Sequence, residues 1–326
     1  LRPVDVKLTR ASVQVQPFEV RALGGALAVD ALDYGHGRLS TRGNFQAFPL
    51  VRLIELVDRN APLRGTLRLS GRWNLATTPQ LRGNLSVARE SGDLLVGAAK
   101  PFDLGIRSFA ASADIDPGKV EFRASAELAL ARAAASGRIG ALENAEPIPY
   151  AAASPLEFTA SIDVARLAPF ATFIDTAMIL RGQASARLQG GGTLGEPKIT
   201  GRVNAANVGV LLPAEGVNLT DGTLSAVLTP QDIRIEQLSI RGGEGVLTAH
   251  GTLSRAGYDR ASLDWRAERF TALARPDRRL IVSGQGNASL QEKRLSMTGR
   301  ARVIEGEFAL AESSLAVLSS DVVVVG

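Results

Sequence analysis

Leu180–Ala186 has the sequence LRGQASA and is followed by Pro197–Ala205, with the sequence PKITGRVNA. A similar pair of segments occurs earlier, at Leu63–Leu69 and Pro79–Val87, and a third begins at Val282 and ends at Val303. Each copy has a glycine, then alternating residues, then a turn and a second glycine-containing strand. Repeats of this kind indicate that one unit cannot bury its apolar face alone and must stack on its neighbours. We therefore expect an extended array.

Apolar and mostly polar residues alternate in and around these copies, for example over Val120–Leu130, Ile199–Ala205 and Leu295–Val303. Such alternation places one set of side chains on each face of a sheet, and a sheet with one solvated face is usually antiparallel. We expect roughly twenty strands, with a turn about every 8–12 residues. The clearest turn signals are Asp116–Gly118, Leu194–Pro197, Thr220–Gly222 and Arg241–Gly243. A sheet of that length is expected to twist, curl or split.

Two segments depart from this alternation. Pro49–Asp58 and Arg166–Met178 carry apolar residues at helical spacing and are predicted to be short amphipathic helices. We interpret them as covering an opening in the sheet, with binding of a partner helix as the alternative. Ala141–Pro155 is rich in Pro and Ala and is predicted to be a loop between two repeat segments, 1–140 and 156–326, of one continuous elongated domain.

Composition excludes several classes of protein. The 326 residues are 45% hydrophobic but only 5% aromatic, so the apolar surface is aliphatic. The net charge of +4 is spread along the chain, whereas a nucleic-acid-binding protein concentrates its basic residues on one element. Without cysteine there are no disulfides or thiolate sites, and no apolar run approaches the length of about 18 residues that spans a bilayer. The chain has no signal peptide and ends on an apolar strand, so we interpret it as a fragment of a longer protein.

Candidate catalytic and metal-binding residues are few. His36 and His250 are interpreted as polar strand or turn residues. Gly190–Gly195 matches a dinucleotide-binding pattern, but a proline-containing turn and a strand follow it, which indicates a hairpin. Asp114–Gly118 begins like a calcium loop but is interpreted as a simple turn. The sequence therefore predicts a protein that is not an enzyme, with no cofactor and no metal site.

The second half of the chain resembles the TamB family. The resemblance covers about Leu180–Gly326 and, over Leu1–Gly140, is carried by the repeat itself. Its motifs are, in order, Gly192–Gly201, Val208–Pro213, Gly216–Gly222, Gly243–Leu253, Gly306–Leu310 and Ser319–Gly326.

TamB proteins belong to a wider group of AsmA-like bridge proteins, and the resemblance implies several properties. It implies a taco-shaped sheet with an apolar concave face, a long periplasmic body and an inner-membrane anchor outside this segment. It also implies partnership with a TamA-like outer-membrane barrel protein. Two roles come with the family: transport of phospholipid between the membranes, and assembly or translocation of outer-membrane β-barrel proteins and autotransporters.

The residues support a compatible mechanism. Exposing a lipid tail of about 16 carbons to water costs about 13 kcal/mol, and an aliphatic groove removes most of that cost. Few aromatic rings and small residues such as Gly201, Ala205, Gly299 and Ala301 are expected to keep the groove wide and free of sticking points. The predicted groove-lining residues are Val120, Phe122, Leu128, Leu130, Ile199, Val203, Ile233, Ile235, Leu263, Trp265, Leu295, Met297 and Val303.

Two alternatives remain open at this point. The sheet edge could template the strands of unfolded outer-membrane β-proteins by adding them as further strands. The groove could instead be closed as an ordinary dry core in a structural spacer. Phospholipid acyl chains are the preferred partner, and no nucleic acid is expected.

Overall fold

The computed structural model describes residues 6–9, 11–56, 58, 63–77, 80–96, 102–142, 150–171, 177–255, 260–291 and 294–309. Strands account for 78% of the structure and helices for 4%. Described in chain order, the strands are β1 (Val6–Leu8), β2 (Ser12–Val15), β3 (Phe18–Ala22), β4 (Gly25–Gly35), β5 (Arg38–Pro49), β6 (Leu63–Gly65), β7 (Arg68–Thr77), β8 (Leu81–Ser91), β9 (Leu94–Val96), β10 (Phe102–Asp103), β11 (Ile106–Asp116), β12 (Lys119–Leu128), β13 (Ala131–Gly140), β14 (Leu156–Val164), β15 (Ile179–Gly192), β16 (Pro197–Leu212), β17 (Val217–Leu228), β18 (Asp232–Gly242), β19 (Gly245–Ser254), β20 (Arg260–Arg275), β21 (Arg278–Gln291) and β22 (Arg294–Phe308). The helices are α1 (Leu50–Glu55) and a 3-10 helix (Ala168–Phe170).

Nineteen of these strands form one long, curved antiparallel sheet that is not closed into a barrel. From β11 to β22 each strand pairs with the next strand in the chain, and β8 pairs with β11. The strands β6, β9 and β10 form a separate small sheet inserted at this point. The predicted all-β fold with a long curved antiparallel sheet is confirmed.

The sheet continues without a break past the predicted loop at Ala141–Pro155. β13 ends at Gly140 and pairs with β14 over nine residues beginning at Leu156. Pro155 adds an isolated bridge to Thr193. Residues 143–149 of this loop lie outside the described residues.

Glycines of the repeat occupy backbone conformations that other residues rarely adopt. Gly65 and Gly182 have φ of 135° and 118°, and Gly83 and Gly201 have φ of 139° and 156°. A Cβ atom on Gly83 would lie 1.9 Å from the carbonyl oxygen of Asn74 in the neighbouring strand. The repeated glycine therefore allows a strained backbone and a close approach between strands.

One predicted turn is wrong. Thr220–Gly222 lies inside β17, where Asp221 has φ of 53° and forms a β-bulge rather than a chain reversal. Asn207 in β16 and Arg269 in β20 form similar bulges with φ of 53° and 45°. Bulges bend a strand and increase its twist, so they contribute to the curvature of the sheet.

The first predicted helix is confirmed as α1, which is shorter than the segment Pro49–Asp58 and follows β5 directly. Of the second, Arg166–Met178, the structure shows the 3-10 helix, and residues 172–176 lie outside the described part. The two helices follow β5 and β14, which run in the same direction, so both helices lie at the same end of the strands. There the ring of Phe170 lies 5.5 Å, between centroids, from that of Phe102 in β10. In the described part of the chain, no helix has the length and apolarity needed to cross a membrane.

A single-layer sheet leaves much of the chain exposed. The accessible area is 21453 Å², whereas a compact monomer of 34.3 kDa would expose about 13,000 Å². The main buried cluster consists of Ile240, Ala267 and Phe270. It forms where the ends of β17 and β20 approach each other, with the N–H of Ala274 donating to the carbonyl oxygen of Gly216 at 2.7 Å.

Candidate functional site: the apolar face of the sheet

Strand register places an unbroken row of apolar residues across the sheet. Directly paired residues of antiparallel strands project from the same face, so the row can be followed from strand to strand. We call it the central row; it comprises Val20, Leu27, Phe45, Gly71, Val87, Ala111, Ala124, Ala135, Ala160, Leu188, Gly201, Leu228, Ile233, Leu253, Ala261, Leu290 and Leu295. It crosses every strand of the main sheet from β3 to β22. We call the side that carries it the apolar face and the opposite side the polar face.

A second row runs beside it from β11 to β22. Its members are Phe109, Ala126, Ala133, Ile162, Ala186, Val203, Ala226, Ile235, Gly251, Leu263, Ala288 and Met297. The two rows together make a band without a charged or polar side chain. A band of this kind offers a continuous aliphatic surface.

Alanines of one strand show that the two faces differ in how closely their side chains pack. Ala134 on the polar face of β13 is exposed, whereas Ala133 and Ala135 on the apolar face are only partly exposed. The paired neighbours are similar in size, since Ala134 pairs with Ser125 and Ser161, and Ala135 pairs with Ala124 and Ala160. The difference in exposure shows that side chains are more closely packed on the apolar face than on the polar face at this strand.

Most of the apolar face is uncovered. Ile162 and Leu85 retain 38% exposure, and at the edge Leu295 and Met297 retain 76% and 67%. The cluster of Ile240, Ala267 and Phe270 seals the face locally, at one end of β17 to β21. The face is thus open over most of the described sheet and filled by packed side chains at one place.

The predicted lining residues lie together on the apolar face, with one exception. Leu130 lies in the bend between β12 and β13, where its carbonyl oxygen accepts a hydrogen bond from the N–H of Ala165 at 2.8 Å. The others are on strands and on the apolar side: Val120, Phe122, Leu128, Ile199, Val203, Ile233, Ile235, Leu263, Trp265, Leu295, Met297 and Val303. Residues of the first half such as Leu27, Phe45 and Val87 were missed, because alanines on the polar face, such as Ala26 and Ala28 beside Leu27, weaken the alternation there.

Aromatic rings on this face lie over glycines of neighbouring strands. A Cβ atom on Gly190 would be 1.8 Å from the ring of Phe158, and one on Gly43 would be 2.5 Å from the ring of Trp73. Phe45 covers Gly71 in the same way. The rings therefore occupy the space that a side chain at each of these glycines would need.

Replacing Gly190 by alanine is expected to lower the free energy of unfolding by about 1–3 kcal/mol, because the ring of Phe158 must move. Gly191 is a matched control, since its Cβ atom would meet only the carbonyl oxygen of Leu156 at 4.0 Å. Urea denaturation followed by circular dichroism measures both changes. In a Phe158→Leu background, Gly190→Ala should lower the free energy of unfolding by less than it does in the unchanged chain. Equal losses in the two backgrounds would contradict the contact between the ring and residue 190.

The two tryptophans of the chain both lie on the apolar face, far apart along the sheet. Trp73 in β7 donates a hydrogen bond from Nε1 to the Oγ1 of Thr41 at 3.1 Å. Trp265 in β20 has a buried Nε1 without a hydrogen-bond partner in the described residues. The two indoles report on separate parts of the same surface.

The polar face carries exposed ion pairs between neighbouring strands, such as Arg138–Glu157 at 2.8 Å and Arg187–Asp163 at 3.0 Å. Pairs of this kind contribute little stability each. Within β12, the hydrogen bond and then the charge of Lys119 lower the pKa of Glu121. His250 also lies on this face, 3.8 Å from Asp264, and His36 lies in the turn between β4 and β5. The Gly190–Gly195 segment ends β15 and leads into β16, as predicted for a hairpin.

The chain matches no protein-family model, and no similar curated protein or solved structure was found. The geometry of the apolar face is therefore the feature that points to a function.

Proposed function

We propose that this chain carries phospholipid acyl chains along its apolar face, as a periplasmic bridge segment between inner and outer membranes. The observation that carries the proposal is the central row, which crosses seventeen consecutive pairing strands with aliphatic residues, glycine and one phenylalanine. The resemblance to the TamB family favours the same role and supplies the expectation of an inner-membrane anchor and a TamA-like partner.

The chemistry of the row suits transport better than storage. Shielding an acyl chain of about 16 carbons from water removes a cost of about 13 kcal/mol without any directional contact. Because neighbouring positions are chemically alike, no place along the row binds the tail much more tightly than the next. Rings packed over glycines add few obstacles. A tail can therefore slide from strand to strand while the head group stays in water.

The two tryptophans test this proposal directly. The variant Trp265→Phe leaves Trp73 as the only indole, and Trp73→Phe leaves Trp265. Both variants are mixed with phosphatidylethanolamine whose acyl chains are brominated, and tryptophan emission is compared with that in the unbrominated lipid. Bromine quenches only on close approach, so we expect quenching of both tryptophans.

A water-soluble analogue of the head group that carries bromine but no acyl chain serves as control. It should leave the emission unchanged. Quenching of neither tryptophan would refute lipid binding on this face. Quenching of only one would refute carriage along the whole face.

A second function is favoured by a separate observation, the long exposed edge at β22. An edge of this kind can template incoming strands, which suits an assembly or translocation factor for outer-membrane β-barrel proteins and autotransporters. Photo-crosslinks from β22 to an unfolded barrel protein, without lipid crosslinks from Val203, would favour this function over lipid transport.

A further inference from the structure

The strand β22 is a long and bare sheet edge. It runs over 15 residues and pairs with β21 on one side. No other strand of the described residues pairs with it, and every one of its residues is exposed. Its free N–H and C=O groups alternate along the outer side and are available to a further strand.

The opposite end of the sheet is protected in a way that β22 is not. The outer edge of β4 is covered by two short strands, β2 and β3, which pair with different halves of it. Pro17 interrupts the chain between them, and proline cannot donate a backbone hydrogen bond. β22 contains no proline and has no such cover among the described residues. Proteins that keep a sheet edge unpaired usually shorten or block it, so the contrast indicates a surface that pairs.

Charged residues on the polar face of β22 indicate which kind of strand could pair with its outer edge. Inside the sheet, several arginines face carboxylates on neighbouring strands, as Arg123 faces Asp114 and Arg187 faces Asp163. On β22, Arg300 and Arg302 pair in register with Gln285 and Ser283 of β21. Within the described residues neither arginine has an ion-pair partner. A strand added on the outer side with carboxylates opposite these two arginines would form cross-strand ion pairs like those of Arg123 and Arg187.

We infer that the outer edge of β22 binds a β-strand of a second protein that carries carboxylates at two alternate positions, opposite Arg300 and Arg302. Aliphatic residues between and beside these carboxylates would extend the apolar face past Met297 and Val303, which are 67% and 59% exposed. The inference deepens the second function proposed above by naming the chemistry of the strand. A second copy of β22 does not fit, because its own arginines would lie on the same face as Arg300 and Arg302.

The test uses the full chain and three fluorescent peptides of alternating residues. One peptide alternates valine with glutamate, the second alternates valine with lysine, and the third is the glutamate peptide with N-methyl groups on alternate amides along one edge. Fluorescence anisotropy should show binding of the glutamate peptide alone. The double variant Arg300→Glu/Arg302→Glu should bind the glutamate peptide at least about tenfold more weakly than the unchanged chain does. It should bind the lysine peptide instead.

The control variant Arg234→Glu/Arg241→Glu makes the same change of charge on exposed positions of the interior strand β18. It should bind the glutamate peptide as the unchanged chain does, and circular dichroism verifies the fold of both variants. Equal binding of the glutamate and lysine peptides, unaltered binding after N-methylation, or equal loss in the control would each overturn the inference. Dimerisation through β22 that excludes the peptide would overturn it as well.

Failure of the inference and failure of the assembly function give different results. Peptide binding without any effect on the membrane insertion of an unfolded barrel protein leaves the strand-binding edge intact and removes the assembly function. Assisted insertion that persists in the Arg300→Glu/Arg302→Glu variant overturns the edge inference and keeps the function.

Discussion

Replacing Phe270 by alanine is expected to lower the free energy of unfolding by about 3–5 kcal/mol. Phe270 is 8% exposed and packs with Ile240 and Ala267, and its ring also lies against the backbone position of Gly242. Removing the ring leaves a cavity at the one place where β17 and β20 close over the apolar face. Few other side chains in the described part of the sheet are buried and could compensate.

Trp265 packs against this cluster, so its emission in the Trp73→Phe background follows local unfolding in urea. Phe308 is the matched control, because it lies 62% exposed on the edge strand and its replacement by alanine should cost at most about 0.5 kcal/mol. Similar losses for both phenylalanines would show that the cluster does not stabilise this part of the sheet.

Replacing Val203 by aspartate is expected to reduce bound phospholipid by more than about tenfold, because a carboxylate would lie in the path of the acyl chain without a partner. Val203 is partly exposed, lies in the middle of the second apolar row, and pairs with Ala186 and Ala226. Its side chain therefore belongs to the surface that the tail would follow.

Asn204→Asp is the matched control, since this neighbouring side chain is exposed and projects from the polar face. Mass spectrometry of lipid that co-purifies with each variant measures the effect, and bromine quenching of Trp265 provides a second reading. If the two aspartate variants retain equal lipid while both remain folded, the apolar face does not carry the acyl chains.

Much of the fold could be predicted because alternation in sequence is a direct consequence of strand geometry. The pattern at Ile199–Ala205 and Leu295–Val303 correctly indicated strands with one apolar side. The same pattern continues past the end of β12 to Leu130, which lies in the bend before β13 and not on a strand. At Thr220–Gly222 the residues that favour a turn also favour a left-handed conformation inside a bulge, and sequence alone does not distinguish the two.

The residue types on the apolar face could be predicted, but the packing of aromatic rings over glycines of neighbouring strands could not. That Phe158 covers Gly190, and Trp73 covers Gly43, depends on the register between strands that are distant in sequence. The small sheet of β6, β9 and β10 was missed for the same reason, because Leu63–Gly65 has the repeat sequence yet pairs with β9 outside the main sheet. Neither the sealed end at Phe270 nor the bare edge at β22 follows from local pattern.

From β12 to β21, each strand pairs only with the strand before it and the strand after it in the chain. The length of the sheet is therefore adjustable in units of one hairpin. Duplicating or deleting one hairpin would change its reach by about 10 Å and leave the remaining hairpins as they are. Evolution could thus match the protein to compartments of different depth by changing the number of hairpins, with no redesign of the apolar face.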